Sequence, residues 1–219
     1  MNYTLTPVCL IIAAIFLYEE SKKNYNAAVF LKGLASLCFV ILGVINYSGT
    51  TTSKLIVLGL LLGAVADVLL NLRWVFPSKG QLIFLTGILV FMGGHILYLS
   101  AILPLCKLWI FGAVGAVVLT VFLMLWIFKQ ITATLPFKIF GVVYIGIIVF
   151  LNCISFLNLV TGFSKFTLMF EIGAILFLVS DIILILNTFG GESKQLYRNL
   201  NIMLYYCGQL FIAFSLMYV

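Results

Sequence analysis

Two short stretches of the sequence carry an aspartate in the middle of an apolar run. The first is GAVADVLLNL, which contains Asp67, and the second is FLVSDIILIL, which contains Asp181. Ionisable side chains are rare in such segments, face the interior of a helix bundle and usually mark function. Two carboxyl groups in one partly dry cavity tend to share a proton, because a low dielectric and a neighbouring like charge both disfavour the second ionisation. A protonated carboxyl beside a carboxylate is the pair that general acid–base chemistry requires.

Six further polar residues lie on segments that could surround the aspartates. Some share a helical face: Asn71 follows Asp67 by one turn, and His95, the single histidine, is three residues before Tyr98. We predict Asp67 and Asp181 as catalytic residues and the following as substrate-binding residues: Lys32, Asn71, His95, Tyr98, Tyr205 and Gln209. The alternative for each is a purely structural role, as an interhelical hydrogen bond or, for Lys32, a side chain that reaches the membrane interface. Lys32 could equally hold a lipid phosphate.

Several other chemistries have no signal in the sequence. The five cysteines have no Cys-x-x-Cys spacing, so neither a zinc site nor a disulfide framework is indicated. No Gly-x-Ser-x-Gly elbow, glycine-rich phosphate loop or His-Glu-x-x-His helix occurs. We therefore expect no metal and no cofactor.

The composition indicates a membrane protein. Hydrophobic residues make up 64% of the chain and charged residues 8%, far below the roughly one quarter that soluble domains carry. The net charge of +6 is spread over short loops, a pattern that suits orientation in a membrane and not nucleic-acid binding. Lipids are the expected partners, and the oligomeric state is left open.

The apolar runs predict an all-α bundle of about eight transmembrane helices. Segments of about 20 apolar residues are needed to cross a bilayer, and only helices satisfy their own backbone groups there. The predicted spans form one domain over residues 1–219: 3–18, 27–47, 55–72, 82–103, 108–128, 137–159, 166–187 and 200–218.

Loop charge predicts the orientation of this bundle. The odd-numbered loops hold eight lysines and arginines and the even-numbered loops hold three. Basic residues favour the cytoplasmic side, so both termini are expected on the non-cytoplasmic side. The short loops favour a cell (inner) membrane as the location.

The two aspartate phrases also indicate an internal duplication. Asp67 and Asp181 are 114 positions apart, and the same ungapped offset pairs Gly94-His95 with Gly208-Gln209. Two parallel repeats of four spans would place both aspartates on equivalent third helices and a shared site where the halves meet. The alternative is chance similarity between leucine-rich spans.

The ordered set of motifs resembles the YhhN family, which includes the animal lysoplasmalogenases. The similarity rests on Lys32, GAVADVLL, FLTGILVFMGGHILYLSAI, GAILFLVSDIILILNTF and LYYCGQLFIAFSL. It implies hydrolysis of the vinyl ether bond of a lysoplasmalogen, a lysophospholipid, to a fatty aldehyde and a glycerophospho-base.

This implied chemistry agrees with the aspartate pair. Hydrolysis of a vinyl ether begins with protonation of the alkene carbon and passes through an oxocarbenium ion, for which glycosidases also use two carboxyl groups. We expect Asp67 and Asp181 to meet in a cavity open to the cytoplasmic leaflet. A small proton-coupled transporter and a non-catalytic lipid-binding protein are the alternatives.

Overall fold

The structure is a computed structural model that describes residues 4–219, and this part of the chain is almost entirely helical. Between residues 4 and 219 the only extended pairing is a single bridge between Ile131 and Gly190. The predicted all-α class is therefore confirmed. The eight α-helices are α1 Leu5–Ser21, α2 Tyr25–Ile45, α3 Thr51–Val75, α4 Gly80–Ile102, α5 Trp109–Gln130, α6 Leu135–Thr161, α7 Lys165–Phe189 and α8 Gln195–Ser215.

Seven of these helices, α2 to α8, are long and apolar enough to cross a membrane. They match the second to eighth predicted spans, so the chain is a multi-pass membrane protein. The first predicted span, residues 3–18, corresponds to α1, and residue 3 lies outside the described part of the chain. Helix α1 has 17 residues, and a helix of that size is about 25 Å long, short of the roughly 30 Å hydrocarbon core. Seven of the eight predicted spans thus correspond to helices that are long and apolar enough to cross a membrane.

The helix bounds support the predicted duplication. Helices α3 and α7 each have 25 residues, and both their first and their last residues are 114 positions apart. Helices α4 and α8 follow the same offset to within one residue at each end. The sequence similarity around the aspartates therefore extends to the lengths of the helices that carry them.

Matching glycine pairs fix the third helix of each half against the fourth. A Cβ atom added to Gly59 in α3 would lie 3.1 Å from the carbonyl oxygen of Gly94 in α4. At the positions 114 residues later, a Cβ atom on Gly173 in α7 would lie 2.8 Å from the carbonyl oxygen of Gly208 in α8. Small residues allow such close backbone approach in membrane helices. The two helix pairs therefore cross at equivalent points.

The contacts between the two halves are also equivalent, because the fourth helix of each half packs against the second helix of the other. Helix α4 of the first half packs against α6 of the second, and α8 of the second half packs against α2 of the first. Helix α8 also contacts α3. This arrangement brings α2, α3, α4, α7 and α8 together in the interior.

The glycine crossing gives a direct test of this packing. Gly173→Ala should destabilise the protein by about 1–3 kcal/mol, because the added methyl group meets backbone atoms that cannot move aside. Thermal unfolding in detergent measures the effect. Gly115→Ala is the matched control, since a Cβ atom there has nothing within 4 Å and alanine favours a helix over glycine. Equal melting temperatures for the two variants would contradict the close crossing.

Candidate active site

The carboxyl groups of Asp67 and Asp181 line one interior chamber. Each aspartate is 1% exposed, and the chamber has a volume of about 40 Å³, which is enough to hold water. Helices α2, α3, α4, α7 and α8 contribute its walls. The chamber lies where the equivalent third helices of the two halves face a common space.

The Asp67 carboxylate is neutralised by a buried cation. The Lys32 Nζ atom lies 3.1 Å from Asp67 Oδ1, and Lys32 is 4% exposed. The hydroxyl groups of Ser36 and Tyr205 both donate to Asp67 Oδ2 at 2.6 Å. Lys32 and Ser36 are one turn apart on α2, so one face of that helix supplies both contacts. A charge buried this deeply persists only when it is paired and hydrogen-bonded.

A hydrogen-bonded chain extends from Asp67 toward the other end of the bundle. Gln209 Nε2 donates to the Tyr205 hydroxyl at 3.4 Å, and the Tyr98 hydroxyl donates to Gln209 Oε1 at 2.8 Å. Gly63 leaves room for this chain, because a Cβ atom there would lie 3.0 Å from Gln209 Nε2. The predicted residues Tyr98, Tyr205 and Gln209 are therefore connected to one of the two aspartates.

Asp181 has a different environment. Its Oδ2 atom accepts a hydrogen bond from the Tyr144 hydroxyl of α6 at 2.5 Å. No lysine, arginine or histidine in residues 4–219 lies within ion-pair distance of it. Helix α6 occupies in the second half the place that α2 has in the first, so equivalent helices present a phenol to one carboxyl group and an ammonium to the other. The two carboxyl groups therefore differ in charge compensation.

His95 lies behind the chamber, in an aromatic cluster. Its Nδ1 atom is 2.9 Å from the carbonyl oxygen of Phe91, and its ring centre is 4.4 Å from that of Phe177. Because a carbonyl can only accept, Nδ1 carries the proton in the neutral ring, and the buried Nε2 atom has no hydrogen-bond partner. His95 also contacts the ring of Tyr144, the donor to Asp181. It is placed to support that tyrosine and not to line the chamber.

The structure thus brings five of the eight predicted site residues to the chamber wall. They are Lys32, Asp67, Asn71, Asp181 and Tyr205. The side-chain nitrogen of Asn71 is buried without a hydrogen-bond partner, which leaves it free to bind water or substrate. His95, Tyr98 and Gln209 form the layer behind the wall.

Sequence analysis missed two direct partners of the aspartates, Ser36 and Tyr144. Ser36 had a usable signal, because it is one turn from Lys32 on the same helical face. Tyr144 lies in an otherwise apolar stretch of α6, and no spacing relates it to Asp181. Only the packing of α6 in the bundle reveals that contact.

A larger vestibule adjoins the chamber. Its volume is about 880 Å³, and its lining comes from the ends of the helices, including the first turn of α6, and from the first, third and seventh loops. Arg73, Phe84, Leu184 and Arg198 line both cavities and form the neck between them. The vestibule therefore opens at the end of the bundle for which loop charge predicts the cytoplasmic side.

The chain matches a known protein family. The model of the YhhN family matches residues 27–216, which include every predicted site residue and all helices from α3 onward. No curated protein and no solved structure matches the chain.

The buried ion pair predicts a strong coupling between Lys32 and Asp67. Lys32→Met should cost about 3–5 kcal/mol of stability, because it leaves a buried carboxylate without a counter-charge. The double variant Lys32→Met/Asp67→Asn should recover most of this loss, since it removes both charges. Unfolding in detergent measures all three proteins. Lys54→Met, which removes an exposed lysine, should leave stability unchanged, whereas an equally stable Lys32→Met would contradict the pairing.

Proposed function

We propose that this chain, which belongs to the YhhN family, hydrolyses the vinyl ether bond of a lysoplasmalogen. The products are a fatty aldehyde and a glycerophospho-base. The observation that carries the proposal is the chamber between two buried aspartates, of which one is paired with a cation and the other is not. The resemblance to lysoplasmalogenases supports the substrate class, and the two aspartates at the chamber support acid–base chemistry of the kind that this substrate requires.

The contacts support different proposed roles for the two aspartates. Lys32 and two hydroxyl donors stabilise Asp67 as a carboxylate, so it is a poor proton donor. Asp181 has only a phenol as partner and lies in the same chamber as a second carboxylate, which favours its protonated form. Asp181 is therefore the general acid, and Asp67 is the fixed negative charge that stabilises the cationic intermediate.

In the proposed reaction, each proton that Asp181 donates is later returned to it. Asp181 gives its proton to the alkene carbon, and the ether oxygen and its neighbouring carbon become an oxocarbenium ion opposite Asp67. Water adds to that carbon, and its proton returns to Asp181, which leaves a neutral hemiacetal. Asp181 then protonates the glycerol oxygen as the carbon–oxygen bond breaks, and it recovers a proton from the hemiacetal hydroxyl. Asp67 keeps its charge throughout.

The size of the cavities limits the substrate and its path. The chamber has a volume of about 40 Å³, whereas the 880 Å³ vestibule has room for a head group and glycerol. A lipid with one chain carries only a hydroxyl group at the second glycerol position, so its glycerol needs less room than that of a two-chain lipid. In this proposal the reactive bond passes from the vestibule to the chamber between Phe84 and Leu184, which line both cavities.

The activity can be tested with two matched lipids. Purified protein in detergent should release aldehyde from a lysoplasmalogen and none from the saturated 1-alkyl analogue, which lacks the alkene to protonate. Aldehyde is measured by coupled reduction. Uptake of the lipid into liposomes without aldehyde release would favour a carrier and overturn the proposal.

Asp181→Asn should abolish turnover while the protein stays folded, because the amide cannot donate the required proton. Positioned acid–base groups contribute about 10²–10⁴-fold, so kcat should fall by at least about 10²-fold. Melting temperature is measured alongside activity. Glu192→Gln, which changes an exposed carboxylate in the last loop, is the control and should keep full activity. A fully active Asp181→Asn would contradict the mechanism.

Tyr144→Phe should lower kcat and leave KM nearly unchanged. The substitution removes the hydroxyl that orients Asp181, and the loss of a hydrogen bond to an uncharged carboxyl group costs about 0.5–1.5 kcal/mol, or roughly 2- to 10-fold. Steady-state kinetics separate the two constants. A change in KM alone would show that Tyr144 acts on substrate binding instead.

A further inference from the structure

We propose that Arg73, which the sequence analysis did not select, binds the phosphate group of the lipid at the neck. This inference rests on the proposed function, because it assigns the head group of the same substrate. The ligand class is a phosphodiester anion attached to a single acyl-like chain. Arg73 belongs to the last turn of α3 and lines both the vestibule and the chamber.

Arg73 is a cation without a counter-ion. The ion pairs found in residues 4–219 do not include it, and its Nε atom is buried with no hydrogen-bond partner. The guanidinium carbon lies 4.3 Å from the ring centre of Phe84 and 4.8 Å from that of Trp74. These cation–π contacts position the guanidinium but provide no negative counter-ion. A bidentate anion such as phosphate would satisfy the donors that remain.

The neighbouring cations are already engaged. Arg198, the other arginine of the neck, donates from two nitrogen atoms to the Glu20 carboxylate at 2.8 Å each. Lys32, which the sequence analysis allowed as a phosphate ligand, is held by Asp67 at 3.1 Å. Phosphate binding by Lys32 would separate this pair and strand the carboxylate. Of the three cations that line the chamber, Arg73 is the one that can accept an anion without breaking an existing ion pair.

The vestibule around Arg73 is both cationic and amphipathic. Its lining contains four cations and a single carboxylate, which are Lys23, Arg73, Lys194, Arg198 and Glu20. Phe84, Phe137 and Phe189 also line it, and successive ring centres are 6.2 Å and 5.5 Å apart. This aromatic wall begins at Phe84, the residue that Arg73 stacks on. A lysophospholipid has an anionic phosphate next to an apolar chain, so it matches both the cations and the aromatic wall.

The spacing along α3 agrees with this assignment. Arg73 follows Asp67 by six residues, which is about 9 Å along a helix axis. The glycerol backbone that separates the phosphate of a lysoplasmalogen from its vinyl ether spans a comparable length. A phosphate at Arg73 therefore places the reactive bond at the depth of the aspartates.

The test measures binding and not turnover, so it holds whether or not the lipid is cleaved. The probes are a saturated 1-alkyl lysophospholipid and the uncharged 1-alkylglycerol with the same chain, each titrated into the full-length protein in detergent by calorimetry. Arg73→Gln should weaken binding of the lysophospholipid by at least about 10-fold and leave the alkylglycerol unchanged. Arg73→Lys should recover part of the loss, because it restores the charge without the planar fork.

Lys79→Gln is the matched control, because Lys79 is an exposed cation at the same end of the bundle and outside the vestibule lining. It should bind both lipids as the wild type does. Equal affinity of Arg73→Gln for the lysophospholipid would overturn the proposal, as would an equal loss for both lipids. If Arg73→Gln does not fold, the test uses the two affinities of the wild-type protein. The proposal requires the wild type to bind the lysophospholipid more tightly than the alkylglycerol, and equal affinities would overturn it. Inorganic phosphate that binds as tightly as the lipid would show a site for free phosphate and also overturn the assignment.

Absence of aldehyde release together with Arg73-dependent binding would refute the proposed hydrolysis and keep the phosphate site. If Arg73→Gln leaves both aldehyde release and lipid binding unchanged, the proposed hydrolysis stands and the phosphate site is refuted.

Discussion

The ion pair between Lys32 and Asp67 is the interaction on which the site depends. A bare carboxylate in the interior of this bundle would be neutralised by a proton, because the surrounding helices cannot solvate it. The Lys32 ammonium at 3.1 Å, with hydroxyl donors from Ser36 and Tyr205, keeps the negative charge in place. With one carboxylate fixed, a second aspartate in the same chamber tends to remain protonated. The difference between the two identical side chains thus begins with a residue on α2.

The predicted duplication accounts for two aspartates at one chamber, and differences between equivalent helices account for their different surroundings. Helices α3 and α7 have the same length and the same glycine crossing with the helix that follows, so their carboxyl groups lie at equivalent depths. Helices α2 and α6 no longer carry the same residues at the contact. The first presents an ammonium and a hydroxyl, and the second presents the phenol of Tyr144. Parallel repeats of this kind bring matched groups together at the interface of the halves, and point changes on neighbouring helices can then assign their roles.

Much of the fold could be predicted because hydrocarbon imposes simple rules on the sequence. The apolar runs located seven spans to within a few residues, and the 114-residue offset between Asp67 and Asp181 located the repeat. The site was harder to predict. The polar character of residues inside spans predicted five residues that line the chamber, Lys32, Asp67, Asn71, Asp181 and Tyr205, because such residues face inward. Tyr144 and the uncompensated Arg73 depend on which helices pack together, and a tyrosine or a terminal arginine is too common in membrane helices to carry that signal.

The chain from Tyr98 through Gln209 to Tyr205 and Asp67 has a consequence for proton movement. Proton hopping needs groups that can accept one proton and release another, as water and hydroxyl groups do. The carboxamide of Gln209 holds its hydrogen atoms and interrupts that sequence between the two phenols. This chain therefore gives a proton on Tyr98 no continuous path of exchangeable groups to Asp67.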